Sequence, residues 1–366
     1  MPLSHVEPSR YESLLEEKCA RVCALLAPFE APSPSVFSSP TTGFRMRAEF
    51  RVWHDGDDLN YVMFRPEDRK TPVAINAFPI ACPAIQNLMP TLQSRLQSNE
   101  TLRSRLFQAE FLSTLSGETL VTLVYHRKLD DEWQAQALSL AESLGISIVG
   151  RSRKQKCVVG QDFVTETLLV NGAKFTYQQI EQSFTQPNAT VNTHMIEWAC
   201  AQSKAQRGDL LELYCGNGNF TLPLAQHYDT VIATELSKTS VRAANQNIAD
   251  NGIANVHLIR LSAEEVSEAM RGDREFRRLK MLPKPLEEYT LNTIFVDPPR
   301  AGLDEATLSM VAQFDTILYI SCNPDTLAEN LSVLHHTHCI EAFALFDQFP
   351  YTHHMECGVR LERRTL

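Results

Sequence analysis

The second half of the sequence predicts a doubly wound α/β sheet, and the first half predicts a smaller α+β domain. From Asp209 onward, short apolar runs alternate with helical patterns, as in sheets of parallel strands with helices on both faces. Polar residues directly follow several of these runs, at the sheet edge where open α/β sheets bind ligands. We place the boundary after residue 182, so that the predicted domains are 1–182 and 183–366.

Composition and charge restrict the class of protein. The chain of 366 residues is long enough for two domains with separate cores, and its net charge of −10 argues weakly against a nucleic-acid partner. A local basic face can still bind phosphate on an acidic protein. The nine cysteines are scattered without paired spacing, which predicts free thiols in a reducing compartment. No segment resembles a signal peptide or a membrane span, so we expect a cytoplasmic protein without a membrane partner.

The first domain is predicted to contain several helices and strands. Helical patterns cover 9–27, 82–97 and 131–144, whereas strand patterns cover 44–53, 61–64, 119–126, 146–150, 157–159 and 164–170. The densest basic run of the chain, Arg151–Lys156, is predicted to be a loop that could follow a phosphate backbone. Cys19 and Cys23 lie one helical turn apart, but no further ligands cluster near them, which favours core packing over a metal site.

A strand over residues 44–53 is predicted to have one apolar and one basic face. The apolar face contains Phe44, Met46, Ala48, Phe50 and Val52. The opposite face contains Arg45, Arg47, Arg51 and Trp53. Arginine beside an aromatic ring suits RNA, because guanidinium groups bind phosphate and rings stack on bases. The alternative is a solvated face with cation–π contacts.

A glycine-rich turn begins the second domain. The strand within residues 210–220 runs into this turn, where glycine lets the backbone approach a ligand closely. About twenty residues later a second strand ends at Glu235, whose carboxylate can accept both ribose hydroxyls of an adenosine. The dinucleotide pattern G-x-G-x-x-G is incomplete, because Thr221 occupies the place of the third glycine. The Glu-x-x-x-Gly-x-Gly pattern from Glu212 therefore favours S-adenosylmethionine over NAD.

Two later strands also end in reactive or charged residues. The apolar run 317–320 predicts a buried strand, with Cys322 at its carboxyl end and a helix directly after it. The helix dipole there is expected to favour thiolate over thiol, although a buried structural cysteine is the alternative. In the sequence from Asp297 to Arg300, two prolines form a stiff wall that presents both charged residues at the ligand edge. Adjacent histidines such as His353 and His354 rarely converge on one ion, so we expect no metal site.

A methyl donor beside Cys322 and Glu356 indicates a specific reaction. C5 of uracil is a poor nucleophile, but addition of a thiolate to C6 converts the ring to an enolate with a reactive C5. After methyl transfer a base must remove the C5 proton before the thiol is eliminated. Cys322 and Glu356 can supply these two roles, and a stacked uridine would have to be flipped out to reach them.

Three motifs together resemble the RNA uracil-5 methyltransferase family. They are Phe295–Arg300, Ser321–Pro324 and His354–Gly358. With Ser183–Asn188 and Leu211–Phe220, the resemblance extends from Tyr11 to the C-terminus and is closest to the bacterial tRNA branch of that family. It implies a class I S-adenosylmethionine methyltransferase (Rossmann-like) sheet with an N-terminal α+β RNA-binding domain.

The resemblance also implies roles for individual residues. Cys322 would be the nucleophile and Glu356 the proton acceptor. The positions that match the cofactor-binding positions of the family are Gln186, Tyr214, Asn219, Glu235 and Asp297. The substrate would be the uridine at position 54 in the T-loop of the T-arm of tRNA, giving ribothymidine, and the equivalent uridine of transfer-messenger RNA. The side chains that we expect to contact RNA are Arg47, Arg51, Phe107, His126 and Arg300.

Three alternatives remain at this stage. Family members that modify ribosomal RNA commonly carry an N-terminal barrel domain and a four-cysteine iron–sulfur site, and this sequence shows neither; a ribosomal RNA uracil-5 methyltransferase is still the alternative within the family. An amino-group methyltransferase could use Asp297–Pro299, which resembles the motif of adenine-N6 enzymes, but it has no use for both Cys322 and Glu356. A non-catalytic RNA-binding protein would have no use for the cofactor pattern.

Overall fold

The structure is a computed structural model that describes residues 6–65, 67–204 and 208–364. Its helices are α1 (Tyr11–Leu26), α2 (Pro83–Gln97), α3 (Glu100–Arg103), α4 (Asp131–Leu144), α5 (Ala189–Ser203), α6 (Thr221–Leu224), α7 (Lys238–Asp250), α8 (Ala263–Met270), α9 (Glu305–Val311) and α10 (Pro324–Leu334). None of these described helices is long and apolar enough to cross a membrane.

The strands divide among two large sheets and one hairpin. In chain order they are β1 (Ser35–Phe37), β2 (Arg47–Asp55), β3 (Asp58–Arg65), β4 (Asp68–Ala74), β5 (Leu106–Ser113), β6 (Thr119–Tyr125), β7 (Ser147–Ser152), β8 (Gln155–Val159), β9 (Phe163–Val170), β10 (Ala173–Ile180), β11 (Asp209–Leu213), β12 (Val231–Thr234), β13 (Val256–Ile259), β14 (Leu291–Val296), β15 (Thr316–Ser321), β16 (His338–Phe346) and β17 (Glu356–Arg363).

The chain forms two compact units, and neither is one continuous stretch. The first consists of 1–9, 40–167 and 178–189, and the second of 10–39, 168–177 and 190–366. This division differs from the predicted one, because α1 and β1 belong to the second unit. The reason is packing: Leu15 and Val22 of α1 are buried in the core of the second unit, and β1 pairs with β16. The hairpin of β9 and β10 is divided between the units.

The second unit contains the predicted doubly wound sheet. Its eight strands follow the order β1-β16-β17-β15-β14-β11-β12-β13. The pairs from β13 through β15 are parallel, whereas β17 runs antiparallel to β15 and β16. All six residues of β15 are buried, as the apolar run predicted for a strand covered on both faces. The prediction of this fold is confirmed.

The first unit contains a seven-stranded sheet in the order β4-β3-β2-β5-β6-β7-β8. The predicted alternation of β2 is confirmed, since Ala48, Phe50 and Val52 are buried and the intervening residues face outward. The prediction of a loop at 151–156 is correct only for the turn at Arg153 and Lys154. The residues on either side form the facing ends of β7 and β8, where salt bridges to Glu181 and Asp162 balance the charges of Arg151 and Lys156.

Candidate active site

Three strand ends bring together the predicted catalytic residues at one sheet edge. Asp297 follows the last residue of β14, and Cys322 follows the last residue of β15, its parallel neighbour. Glu356 is the first residue of β17, which is antiparallel to β15. The last pair of that ladder is Ser321 with Cys357, so one further step places Cys322 opposite Glu356. The motifs that are far apart in sequence therefore end at the same place.

Hydrogen bonds tie the Cys322 turn to the neighbouring loop. The Asn323 side chain accepts from the backbone N–H of Asp325 and begins α10, while its Nδ2 donates to the carbonyl oxygen of Arg300 over 3.1 Å. The Thr326 hydroxyl donates to the same carbonyl over 3.3 Å. The Arg300 guanidinium in turn lies 3.3 Å from Nδ1 of His354, two residues before Glu356. These contacts hold the three loops of the site to one another.

The surroundings of Cys322 favour the neutral thiol over the thiolate. Its pKa is raised to about 12, chiefly by burial and in part by the nearby carboxyls of Glu356 and Asp297, while the positive charge of Arg300 offsets some of this increase. The helix dipole, which is expected to favour the thiolate at Cys322, is therefore opposed by desolvation and by two neighbouring carboxyls. The side chain is only partly buried, so the sulfur can still be reached.

The two carboxyls near Cys322, those of Glu356 and Asp297, also have raised pKa values. The pKa of Glu356 is raised to about 8, mainly by burial and in part by Asp297, while Arg300 offsets some of this increase. Burial alone raises the pKa of Asp297 to about 7. Carboxyls with a pKa near neutrality suit general acid–base chemistry, because they can gain and lose a proton at working pH.

The glycine-rich turn after β11 forms a second part of the site. Tyr214 has a φ of 60°, a left-handed conformation that is uncommon for a residue with a side chain. At Gly218, with a φ of 88°, a Cβ atom would lie 2.6 Å from a methyl group of Leu222. One oxygen of Glu235 accepts from the N–H of Gly216 and the other from the N–H of Ser237. Each oxygen keeps a lone pair that a ribose hydroxyl could use.

Asn219 and Glu212 complete this part of the site. The Asn219 amide forms a reciprocal pair of hydrogen bonds with Asn192 of α5, at 2.8 and 2.9 Å. Both oxygens of Glu212 are buried without a hydrogen-bond partner, and burial raises the pKa of this carboxyl to about 8. The Thr221 hydroxyl is near enough to lower that pKa somewhat, but it lies outside hydrogen-bonding geometry.

These observations fit a cationic, adenosine-containing cofactor. The Glu212 carboxyl is buried and Asp297 is partly exposed at the same strand edge, and neither has a positive partner among the described residues; a sulfonium and an ammonium group would supply one. The side chains of Asn192 and His354 also belong to the site. Asn192 lies in no motif, and the His354–Gly358 motif does not indicate the contact of His354 with Arg300, because both residues act through partners that are distant in sequence. Within residues 6–65, 67–204 and 208–364, no cluster of three or more His, Cys, Asp or Glu side chains could hold a metal ion.

The predicted RNA contacts lie in the first unit, except for Arg300. The guanidinium of Arg51 covers one face of the Phe107 ring at 3.6 Å, and the His126 ring stacks on Phe107 with centroids 4.0 Å apart. Arg47 donates to the carbonyl oxygen of Ser183 over 2.7 Å, so its guanidinium is partly engaged within the unit. Gln186, predicted to contact the cofactor, also lies in the first unit, in the irregular segment before α5.

The sheet order, the glycine-rich turn after β11 and the carboxylate that follows β12 define a class I S-adenosylmethionine-dependent methyltransferase. The family model described as tRNA (Uracil-5-)-methyltransferase matches residues 10–364. The chain therefore belongs to the tRNA (uracil-5-)-methyltransferase family, as the sequence motifs predicted.

Individual relatives agree with this placement. A protein named tRNA/tmRNA (uracil-C(5))-methyltransferase from Vibrio vulnificus (strain CMCP6) is 55% identical over 364 residues, covering 98% of each chain. A protein of the same name from Pseudomonas savastanoi pv. phaseolicola (strain 1448A / Race 6) is 54% identical over 358 residues, covering 98% of this chain and 99% of the relative. The crystal structure of Pyrococcus abyssi tRNA (uracil-54, C5)-methyltransferase in complex with S-adenosyl-L-homocysteine has a TM-score of 0.74 at 21% identity. That match covers 98% of this chain and 84% of the other and supports the fold.

Proposed function

We propose that this enzyme transfers a methyl group from S-adenosylmethionine to C5 of a uridine in tRNA, at position 54 of the T-loop, and in transfer-messenger RNA. The observation that carries the proposal is the placement of Cys322 opposite Glu356 at the edge of the sheet, with Asp297 and Arg300 beside them. Methylation at C5 requires both a thiol and a carboxyl that acts as a base. Methylation of an amino group requires no such pair. We also propose that the enzyme acts in the cytoplasm, on tRNA and transfer-messenger RNA.

Cys322 is proposed to add to C6 of the uracil ring. A new S–C6 bond forms, the C5–C6 double bond breaks, and the thiol proton is lost to a base, so that the ring becomes an enolate. Because burial raises the pKa of this thiol, loss of the proton is part of the energetic cost of the addition. The Arg300 charge lowers that pKa and so reduces the cost.

Glu356 is proposed to complete the reaction. The methyl group is supplied by S-adenosylmethionine, whose sulfonium makes it electrophilic, and C5 then carries both a methyl group and a proton. The Glu356 carboxylate removes that proton, the C5–C6 double bond re-forms, and the Cys322 sulfur leaves. A pKa of about 8 suits this role, because the carboxyl binds a proton strongly enough to remove it and releases it again near neutral pH.

The cofactor is proposed to lie along the carboxyl ends of β11, β12 and β14. Glu235 would accept the ribose hydroxyls, Asn219 is held in place by Asn192, and Asp297 lies next to the reacting groups. Tyr214 and Gln186 stay proposed contacts on the strength of the family motifs. Glu212 joins them, since its buried carboxyl lacks a partner.

The first unit is proposed to hold the T-arm. Both faces of the Phe107 ring are covered, one by Arg51 and the other by His126, so an unpaired base would stack on the outer face of His126 or of the Arg51 guanidinium. This column gives the RNA a flat surface with a positive charge at one end. Arg300, at the edge that carries Cys322, would meet phosphate near the target uridine.

The deciding experiment is nucleoside analysis of bulk tRNA from cells that lack the protein, before and after incubation with the enzyme and labelled S-adenosylmethionine. We expect 5-methyluridine to be missing and then restored in tRNA. Label in N6-methyladenosine would indicate an amino-group methyltransferase, and label in ribosomal RNA alone would indicate the ribosomal branch. Binding of tRNA without label transfer would overturn the proposed activity.

A further inference from the structure

We propose that a pocket on β2, β3 and β4 binds an unpaired nucleotide of the substrate RNA other than the uridine that is methylated. The pocket has a volume of about 570 Å³ and is lined by Arg51, Val52, Trp53, Phe64, Arg65, Arg69 and Phe107. The inference depends on the proposed function, because it assumes that the enzyme binds RNA. It adds a subsite that the catalytic groups do not form.

The positive charge of the pocket suits an anionic ligand. Among the described residues, neither Arg65 nor Arg69 forms an ion pair, although the chain as a whole carries a net charge of −10. Asp68, whose carboxylate senses the Arg65 charge, instead accepts hydrogen bonds from the N–H groups of Lys70 and Thr71. Guanidinium groups without carboxylate partners suit the phosphates of RNA.

An exposed aromatic ring in the same pocket suits stacking with a nucleotide base. The Trp53 indole is 45% exposed, unlike the Phe107 ring, whose two faces are covered by Arg51 and His126. A base can therefore stack on Trp53 while its phosphate meets Arg65 or Arg69. The base must be unpaired, because only then is its face free.

The nucleotide in this pocket cannot be the one that reacts. Methylation needs the Cys322 thiol and the Glu356 carboxyl, and both belong to the second unit, whereas the pocket is formed within the first. The pocket contains no carboxyl, thiol or imidazole that could carry out the chemistry. Its role is to bind a second position of the same RNA and so to contribute to affinity and register.

Tryptophan fluorescence tests this assignment directly. The sequence has three tryptophans, and Trp133 and Trp198 are buried with exposed fractions of 0% and 5%. Titration of the full-length enzyme with a T-arm hairpin and with whole tRNA should quench the Trp53 emission and protect it from acrylamide. The Trp53→Phe variant should lose the fluorescence response but keep most of the affinity, because phenylalanine can still stack, whereas Trp53→Ala should bind RNA about tenfold more weakly.

Charge variants separate the subsite from general RNA binding. Arg65→Gln and Arg69→Gln should each reduce the slope of the logarithm of the RNA-binding constant against the logarithm of salt concentration by about 0.7. Each should also weaken the quenching of Trp53 fluorescence. The matched control is Arg274→Gln, an exposed arginine of the second unit, which should change neither quantity. If RNA is bound and methylated while Trp53 stays accessible to acrylamide, the proposed subsite is refuted and the proposed function is retained. If no RNA is methylated at all, the proposed function fails.

A buried ion pair anchors the segment that leads into Glu356. Lys18 of α1 is 6% exposed and forms an ion pair with Asp347, which is 1% exposed. Its Nζ also donates to the carbonyl oxygens of Phe349, over 3.2 Å, and His354, over 3.1 Å. One buried ammonium group thus holds both ends of the connection between β16 and β17.

We infer from this geometry that Lys18 is a positioning residue for Glu356. The carbonyl that it holds at His354 is two residues before the proposed base, and the His354 ring contacts Arg300. Arg21, one turn further along α1, donates to the carbonyl oxygen of His353 over 3.2 Å. Loosening this segment should impair the step that uses Glu356 more than the step that uses Cys322.

The test compares the two steps in a variant without the buried charges. Lys18→Met alone would leave the Asp347 carboxylate buried without its cationic partner, so the double variant Lys18→Met/Asp347→Leu is the informative protein. We expect adduct formation with 5-fluorouridine RNA within about twofold of wild type, turnover on uridine RNA about tenfold slower, and accumulation of methylated covalent complex. Lys18→Arg should retain most of the turnover. A folded double variant with unchanged turnover, or with both steps slowed equally, would rule out the positioning role.

Discussion

Cys322 and Glu356 lie opposite each other, one residue beyond the last pair of the antiparallel ladder between β15 and β17. The geometry follows from the order of strands, because β17 is inserted between β15 and β16 and runs against them. A residue that ends one strand therefore meets a residue that begins the other.

Replacement of Cys322 should abolish covalent attachment to RNA. RNA that contains 5-fluorouridine should trap the wild-type enzyme, because fluorine cannot leave as a cation and elimination stalls. Cys322→Ser should give no adduct that survives denaturing electrophoresis, whereas the control Cys339→Ser, which alters a partly exposed cysteine on β16, should give the normal amount. An adduct with Cys322→Ser would refute the assignment.

Replacement of Glu356 should arrest the reaction after methyl transfer. Glu356→Gln keeps the size of the side chain but cannot accept the C5 proton, so a methylated covalent complex should accumulate on ordinary uridine RNA and turnover should fall by about 10²–10⁴-fold. The control is Glu341→Gln, an exposed carboxylate on β16. Release of product at the wild-type rate would mean that another group is the base.

Removal of the Arg300 charge should move the pH dependence of the reaction. Arg300 lowers the pKa of both Cys322 and Glu356, so its loss raises both values. The rising limb of single-turnover methyl transfer should therefore shift to higher pH in Arg300→Gln. Profiles between pH 6 and 10 test this, with the exposed Arg242→Gln as a control. An unshifted limb accompanied by weaker RNA binding would restrict Arg300 to phosphate contact.

Removal of the buried Glu212 carboxyl should make stability less dependent on pH. Its pKa is about 8 in the folded protein and 4.5 as an ordinary glutamate, so the folded state keeps a proton that the unfolded chain releases between these values. Wild-type stability should consequently fall as the pH rises from about 4.5 to about 8, by up to roughly 5 kcal/mol from this group. Thermal melts should show a smaller fall for Glu212→Gln and an unchanged fall for the exposed Glu287→Gln. Equal slopes for all three proteins would contradict this expectation.

The Arg51–Phe107–His126 column should bind the loop of an isolated T-arm hairpin. Phe107→Ala removes the centre of the stack and should weaken binding by about 1–3 kcal/mol with little change in salt dependence. Arg51→Ala should also flatten the log–log salt slope by about 0.7–0.9 if it contacts a phosphate. Methylation of the hairpin beside whole tRNA is the accompanying assay. An inert hairpin, or normal binding by both variants, would move recognition to the hairpin of β7 and β8.

Local patterns in the sequence determined much of the fold and the centre of the site. Period-two alternation identified β2, helical stripes identified α1 and α4, and apolar runs identified β11, β12, β14 and β15. Such patterns report the environment of their own element, which is why they predicted strands ending in Asp297, Cys322 and Glu235 correctly. Because parallel strands end at one edge, the sequence also indicated that these residues meet.

Tertiary structure decided everything that depends on a distant partner. Lys18 and Asp347 are 329 residues apart, and α1 joins the second unit because its apolar stripe completes that core. The sequence correctly placed Cys322 at a helix start but could not show that burial and two carboxyls would raise its pKa. A helix dipole is a local property, whereas desolvation and the charges of residues from other strands exist only once the chain has folded.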